Sequence, residues 1–284
     1  MNITIAHFGT YYVGMSGGVE KVTCQFANAM IKRGHHVTIL YRDSREGSPY
    51  FYLDPNVKQH NILFEKGKQI ISDKLPFPLR ICREIARLFS QKAAQAINAR
   101  YKGMQYGKSI KKYLDSHPTD IIISCSAPST KYTITDAHCQ IPVIQMIHAD
   151  PEIQFPDFSA AEKNAISQCK AMQILTAKGL SFAQAMFPSL PITVIGNPIE
   201  PAPEIKTTYE EQIICSVGNL CPRKNQEFLV KAFEKLHSDF PDWTLELWGG
   251  NSSHYGKKVK AYIQNHQLEQ YVKICGKTQN VNDV

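Results

Sequence analysis

The sequence predicts an α/β protein of two domains, each built on a parallel sheet, with the second domain incomplete. Three observations carry this reading. Short apolar runs rich in Val and Ile alternate with longer segments of helical period, the pattern of βαβ units. The runs are nearly continuous, as strands buried on both faces require. The composition breaks once, at 197–211, where NPIEPAPEIKTTYEE places three prolines within six residues and favours an extended linker over a helix. The expected domains are therefore 1–199 and 200–284. A chain of 284 residues with 43% hydrophobic content can bury a core in each.

Taken in order, the first domain offers ITIAHF, HVTILY, VKQHNILF, DIIISCS, VIQMIH, MQILTA and ITVIG as strands. Between the first two, Val19, Val22, Phe26, Ala29 and Met30 form one helical stripe that Gly34 closes at its C-cap. The segment from Leu79 to Leu114 also reads as helical. It sets Ile81, Ile85, Leu88 and Phe89 on one face and Arg80, Arg83 and Arg87 on another. The second domain supplies IICSVG, a helix from about Asn225 to His237, TLELWGG, a helix from about Gly256 to Gln267, and VKICGK. Three strands and two helices make half of a typical Rossmann-like domain, so the chain reads as shortened at its C-terminus.

The net charge of +7 is concentrated in one segment. Between Lys58 and Lys112 there are thirteen Lys or Arg against three acids, Glu65, Asp73 and Glu84. Neither interleaved aromatics nor a nucleic-acid motif accompanies them, which leaves an anionic membrane surface or an anionic acceptor as the partner class. The apolar stripe beside the arginines has two readings, an interfacial helix or a face packed on the sheet. Met1 leads into NITIAHF, too short and polar for a signal peptide, and no run of about 18 apolar residues occurs, so a cytoplasmic protein is expected, peripheral at the inner membrane face if the basic segment docks. Eight scattered cysteines without a CxxC pair read as reduced small hydrophobes.

Three places could carry chemistry. After the first strand, GTYYVGMSGGVEKV brings Gly9, Gly14, Gly17 and Gly18 to the start of a helix. Free N–H groups and the helix dipole can receive an anion there, unless the glycines serve only a tight turn. A dehydrogenase reading, with Asp43 as the ribose-binding acid, fails because the glycines do not spell GxGxxG. His148 stands at the C-terminal end of a strand, where ligands bind in open parallel sheets, although a structural histidine fits that position too. Asp150, before Pro151, can simply begin a turn. In IICSVGNLCPRKNQEFLVKAF, a strand ends at Gly218, and Arg223 and Lys224 precede a helix with apolar Phe228, Leu229, Ala232 and Phe233. Two cations at that point can clamp a diphosphate, or be an ordinary solvated pair.

GGVEKV, His148, IGNPIE, VGNLCPRKN and LELWGG occur in the order seen in family 4 retaining glycosyltransferases, and the chain resembles that family over essentially its whole length. The resemblance implies the two-domain GT-B architecture. It implies that Gly17 and Gly18 lie near the donor phosphates and acceptor, that His148 lies near the transferred sugar, and that Arg223 and Lys224 hold the diphosphate. Many members carry Arg where this chain has Asn219, so Lys224 transfers more directly than Arg223. The family's Glu-x7-Glu motif would fall beyond Val284, and there is no DxD triplet, in keeping with cationic side chains rather than a metal at the leaving diphosphate.

The implied reaction moves a hexose from a nucleoside diphosphate sugar, the donor substrate, to a lipid-linked or cell-surface polysaccharide acceptor with retained configuration. No cofactor, metal or nucleic-acid partner is expected. A shortened homologue that binds acceptor or partner without transfer is the alternative reading.

Overall fold

The computed structural model describes residues 1–72, 74–199 and 210–278. The expected linker falls largely outside them, as does Asp73. The chain divides into two compact units, Met1–Ile199 and Glu200–Val284.

In the first unit, β1 (Asn2–His7) leads through a loop into α1 (Gly18–Lys32) and β2 (His36–Tyr41). The stripe expected of α1 covers one face of the sheet, and the helix ends where Gly34, at φ +80°, donates its N–H to the Ile31 carbonyl at 2.9 Å. The run VKQHNILF is not one strand. β3 (Lys58–Asn61) stops at Asn61, whose side chain donates to the carbonyls of Asp43 and Arg45 at 2.9 and 3.2 Å and accepts from Leu63 N at 3.1 Å. That buried amide turns the chain into a small hairpin of β4 (Phe64–Glu65) and β5 (Lys68–Gln69).

The basic segment forms two helices rather than one, α2 (Phe77–Phe89) and α3 (Gln91–Ser116). Ser90 breaks it by adopting an extended backbone, and its Oγ then accepts the Ala93 N–H at 3.3 Å as the cap of α3. None of the described α2 side chains is buried. By contrast, Tyr106, Ile110 and Tyr113 of α3 enter the core.

The remainder runs β6 (Ile121–Ser124), α4 (Ala127–Lys131), β7 (Val143–Met146), α5 (Pro151–Gln154), α6 (Ala160–Ile166), β8 (Ala171–Ile174), α7 (Leu180–Met186) and β9 (Ile192–Val194). The strands form one parallel sheet of order β3-β2-β1-β6-β7-β8-β9. Alternate residues pack on opposite faces. Ile3, Ile5, Val37 and Ile39 join Ala27 of α1, while Ala6, Leu40 and Ile122 join the α3 residues.

The second unit carries a parallel sheet β10 (Ile213–Val217), β11 (Thr244–Trp248) and β12 (Val272–Gly276) in that order, with α8 (Gln226–Leu236) and α9 (His254–Asn265). Its core gathers Leu220, Val230, Phe233, Leu245, Leu247, Val259 and Ile263. The cysteines are all free, but they are not uniformly core residues. Cys24, Cys125 and Cys169 are buried, whereas Cys82 and Cys215 are exposed.

Candidate functional site

Each unit presents a candidate site where its strands end. In the first, Ala6 pairs in register with Ser124, so the next residues, His7 and Cys125, are lateral neighbours at the ends of β1 and β6. β7 lies on the other side of β6, and His148 follows it by two residues. Three residues more than a hundred positions apart at the extremes thereby meet at one edge of the sheet.

The loop after β1 is held from beneath. Asp43 is buried, and its Oδ2 accepts the N–H groups of Tyr12 and Val13 at 2.9 and 2.8 Å. Its carboxylate is thus committed to fixing the glycine loop. Tyr12 is fully buried against Tyr41, with ring centroids 4.6 Å apart. Gly17 caps α1 in an extended conformation and provides no side-chain hydrogen bond, and Gly18 opens the helix.

The two glycines then differ. A Cβ at Gly17 would overlap the carboxylate of Glu20, whereas nothing lies within 4 Å of where a Cβ at Gly18 would sit. Glu20 is a residue that sequence reasoning missed. It is buried in the first turn of α1, accepts the Thr10 hydroxyl at 2.8 Å, and stands 3.5 Å from His7 Nε2. A negative charge belonging to the chain therefore sits at this helix start, beside the open approach at Gly18.

The electrostatics follow from that burial. Burial alone pulls the His7 imidazolium down, but contacts with Cys125 and Glu20 outweigh it and raise its pKa to about 9. Burial likewise pushes Glu20 up, and His7 and Thr10 more than reverse it, so the carboxyl titrates below its usual range. Cys125 is the third member. Burial raises its thiol, yet His148 and His7 beside it bring the pKa down to about 6. Its Sγ also lies 3.5 Å from the Thr23 hydroxyl.

His148 is half-buried, and both ring nitrogens are shielded from solvent without a hydrogen-bond partner. Beyond its contact with the Cys125 thiol, this imidazole has ring-nitrogen capacity left for a polar ligand. Asp150, by contrast, caps α5 by accepting Glu152 N at 3.0 Å, as the turn reading expects.

In the second unit, the loops after β10 and β11 are knitted together. Gly218 N donates to Trp248 O at 2.7 Å, Leu220 N to Gly250 O at 2.9 Å, and Gly250 N to Asn219 Oδ1 at 3.0 Å. Gly249, at φ +147°, has no room for a Cβ, which would overlap the Gly218 carbonyl oxygen. Asn219 thus ties the two loops together.

A second residue invisible from sequence is Gln226, buried at the start of α8. Its Nε2 donates to the carbonyls of Asn219 and Gly218 at 3.2 and 3.4 Å, and its Oε1 accepts Cys221 N at 3.4 Å. This amide shapes the loop that carries the cations. Arg223 and Lys224 lie in a single 3-10 turn, Pro222–Lys224, immediately before α8. Both are exposed, and among the described residues neither pairs with a carboxylate. The Lys224 stem runs beside Gly218, its Cε 3.5 Å from where a Cβ there would sit, and Lys277 Cε approaches Gly250 in the same sense at 3.1 Å. Glycine backbone flanked by lysines at a strand end suits an oxyanion such as a diphosphate. Among the described residues, no group of three His, Cys, Asp or Glu is arranged to hold a metal ion, and no helix is long and apolar enough to cross a membrane.

Residues 199–284 match the family model described as Glycosyl transferases group 1. An uncharacterized glycosyltransferase of Haemophilus influenzae is 22% identical over 275 residues, covering 95% of this chain and 68% of the relative. A TarM variant from S. aureus, solved in complex with fondaparinux, alpha-GlcNAc-glycerol and UDP, superposes with TM-score 0.68 at 13% identity, covering 98% of this chain and 78% of that one. WaaG, a glycosyltransferase involved in lipopolysaccharide biosynthesis, gives TM-score 0.62 at 13% identity over 100% of this chain and 72% of its own. The α/β fold, with its parallel sheets, is that of GT-B glycosyltransferase structures along nearly the whole chain.

Proposed function

We propose that the chain is a glycosyltransferase that moves a hexose from a nucleoside diphosphate sugar to a hydroxyl of a lipid-linked or cell-surface polysaccharide acceptor, working on the inner face of the cell membrane. The observation that carries the reading is the Arg223–Lys224 turn, set on a glycine strand end inside the segment that matches the group 1 family model. The UDP in the TarM complex and the lipopolysaccharide role printed for WaaG support the donor and acceptor classes. Retention of configuration rests on the family resemblance.

In this reading the acceptor oxygen bonds to the anomeric carbon as the bond from that carbon to the diphosphate oxygen breaks. The electron pair leaves with the nucleoside diphosphate, and the acceptor hydroxyl loses its proton. The negative charge gathering on the diphosphate is where stabilisation matters most. Arg223 offers a planar fork and Lys224 a point charge to the phosphate oxygens. The family resemblance assigns Gly17 and Gly18 at the start of α1 to the donor phosphates as well, and Gly17 leaves room for the Glu20 carboxylate. His148, with ring-nitrogen capacity left beside Cys125, positions sugar hydroxyls.

Calorimetric titration of the full chain with UDP tests the diphosphate assignment. Lys224→Ala should weaken binding by roughly 1 to 3 kcal/mol, the worth of one charge-assisted contact, and leave the melting temperature unchanged. An unaltered affinity places Lys224 among solvated surface charges and removes the main support for the reading.

A further inference from the structure

The α2 helix poses a question that the transferase reading does not answer. It rests on α3 through the side bearing Leu79, Arg83 and Ala86, which are half-buried. On the other side Phe77 is 71% exposed, Ile81 47%, Ile85 52%, Leu88 83% and Phe89 85%. At about 100° per residue these five side chains share an arc of roughly 120°. The sequence left two options for this stripe, and the structure turns it away from the sheet. A contiguous apolar face of this kind on a water-soluble surface marks a place where something binds.

The charges beside that face indicate the occupant. Arg80 and Arg87 are exposed along one flank, with Lys74 just before the helix. Glu84 pairs with Arg83 at 2.6 Å and with Arg87 at 2.7 Å, and is the one acid on α2. Around it lies the segment from Lys58 to Lys112, with its thirteen cations and three acids. A second copy of this chain would bring the same basic flank against itself, whereas an anionic lipid leaflet offers hydrocarbon to the stripe and phosphates to the flank.

We propose that α2 is an in-plane membrane anchor, inserting Phe77, Ile81, Ile85, Leu88 and Phe89 into an anionic leaflet while Arg80 and Arg87 meet the headgroup phosphates. This is the geometry of an interfacial amphipathic helix, in which apolar burial and attraction to anionic lipid add. It specifies the surface behind the membrane location proposed above and does not depend on sugar transfer, because binding is read without turnover. Both contributions are needed, with Glu84 neutralising part of the arginine charge on α2 itself.

The full chain is cosedimented with vesicles of phosphatidylcholine alone and of phosphatidylcholine mixed with phosphatidylglycerol, beside the double variant Leu88→Glu and Phe89→Glu. The parent should bind the anionic vesicles at least about tenfold more tightly than neutral ones. The double variant should lose at least about tenfold, with unchanged thermal unfolding because neither residue is buried. As a second readout, Leu88→Trp fluorescence should shift to the blue on anionic vesicles and be quenched by brominated acyl chains, a result independent of how the glutamate variant folds. Absent vesicle binding, equal binding to neutral vesicles, or binding without quenching would each overturn the proposal. So would a lipid-free dimer of the parent chain that the glutamate variant dissolves, which assigns the face to self-association.

Discussion

Replacing Cys125 by Ser should give the first unit a dependence of stability on pH that its buried charge pair otherwise hides. His7 titrates at about 9 in the folded protein against an ordinary 6.5, and Cys125 at about 6 against an ordinary 9.0. The raised His7 value contributes stability that is complete below pH 6.5 and lost as pH rises through 9. The depressed Cys125 value contributes in the opposite sense, complete above pH 9.0 and lost as pH falls through 6. Between 6.5 and 9 the folded pair holds one proton, on His7, and the unfolded pair also holds one, on the thiol. Equal proton counts mean no slope.

With serine at 125 the thiol titration is gone, while His7 keeps Glu20 at 3.5 Å and Thr10 at 3.2 Å. The remaining groups around it are Tyr12, on the loop after β1, and His148, which reaches the cluster through Cys125. The interval from 6.5 to about 9 is worth about 3 kcal/mol at 1.36 kcal/mol per pH unit, as an upper limit. The Cys125 contacts are the larger of the raising causes, so Glu20 alone sustains the smaller part, and stability of the variant relative to the parent should fall by about 1 kcal/mol across the window. Urea unfolding of both proteins at intervals from pH 6 to 9.5 measures it, and Glu20→Gln added to the serine variant should flatten the curve. A difference between parent and variant that stays constant or shrinks as pH rises shows that His7 is neutral in the folded state and sinks the argument.

Other consequences can be checked with the same instruments. Gly249→Ala places a Cβ into the Gly218 carbonyl and forces φ +147° on a residue with a side chain, so it should lower the stability of the second unit by about 2 kcal/mol or more and weaken UDP binding. Asp43→Ala leaves the Tyr12 and Val13 N–H groups without their acceptor, and urea unfolding of the first unit should show a loss of about 2 to 3 kcal/mol. Gln226→Ala releases three backbone partners of the loop that carries the cations. Calorimetry should report weaker UDP binding while circular dichroism shows helix content preserved.

The strands other than the VKQHNILF run, the first helix and its glycine cap, the helix pair of the second unit and the place of Arg223 and Lys224 just before a helix were legible in the sequence. Each is set by residues within a few positions of one another, where period, proline and glycine act directly on the backbone. What joins distant positions was not legible. Glu20 reads as an ordinary acid in a first helical turn until β1 brings His7 against it. Cys125 reads as a small core residue until the order β1-β6-β7 sets it between two histidines. Asn61 and Gln226 look like unremarkable amides, and only the backbone groups folded around them show that they turn one chain segment and shape another. The α2 stripe shows the division most plainly. Helical period states that Ile81, Ile85, Leu88 and Phe89 share a face, but whether that face is covered depends on what the rest of the chain places opposite it, and the break at Ser90 with the packing of α2 on α3 leaves it turned to the outside.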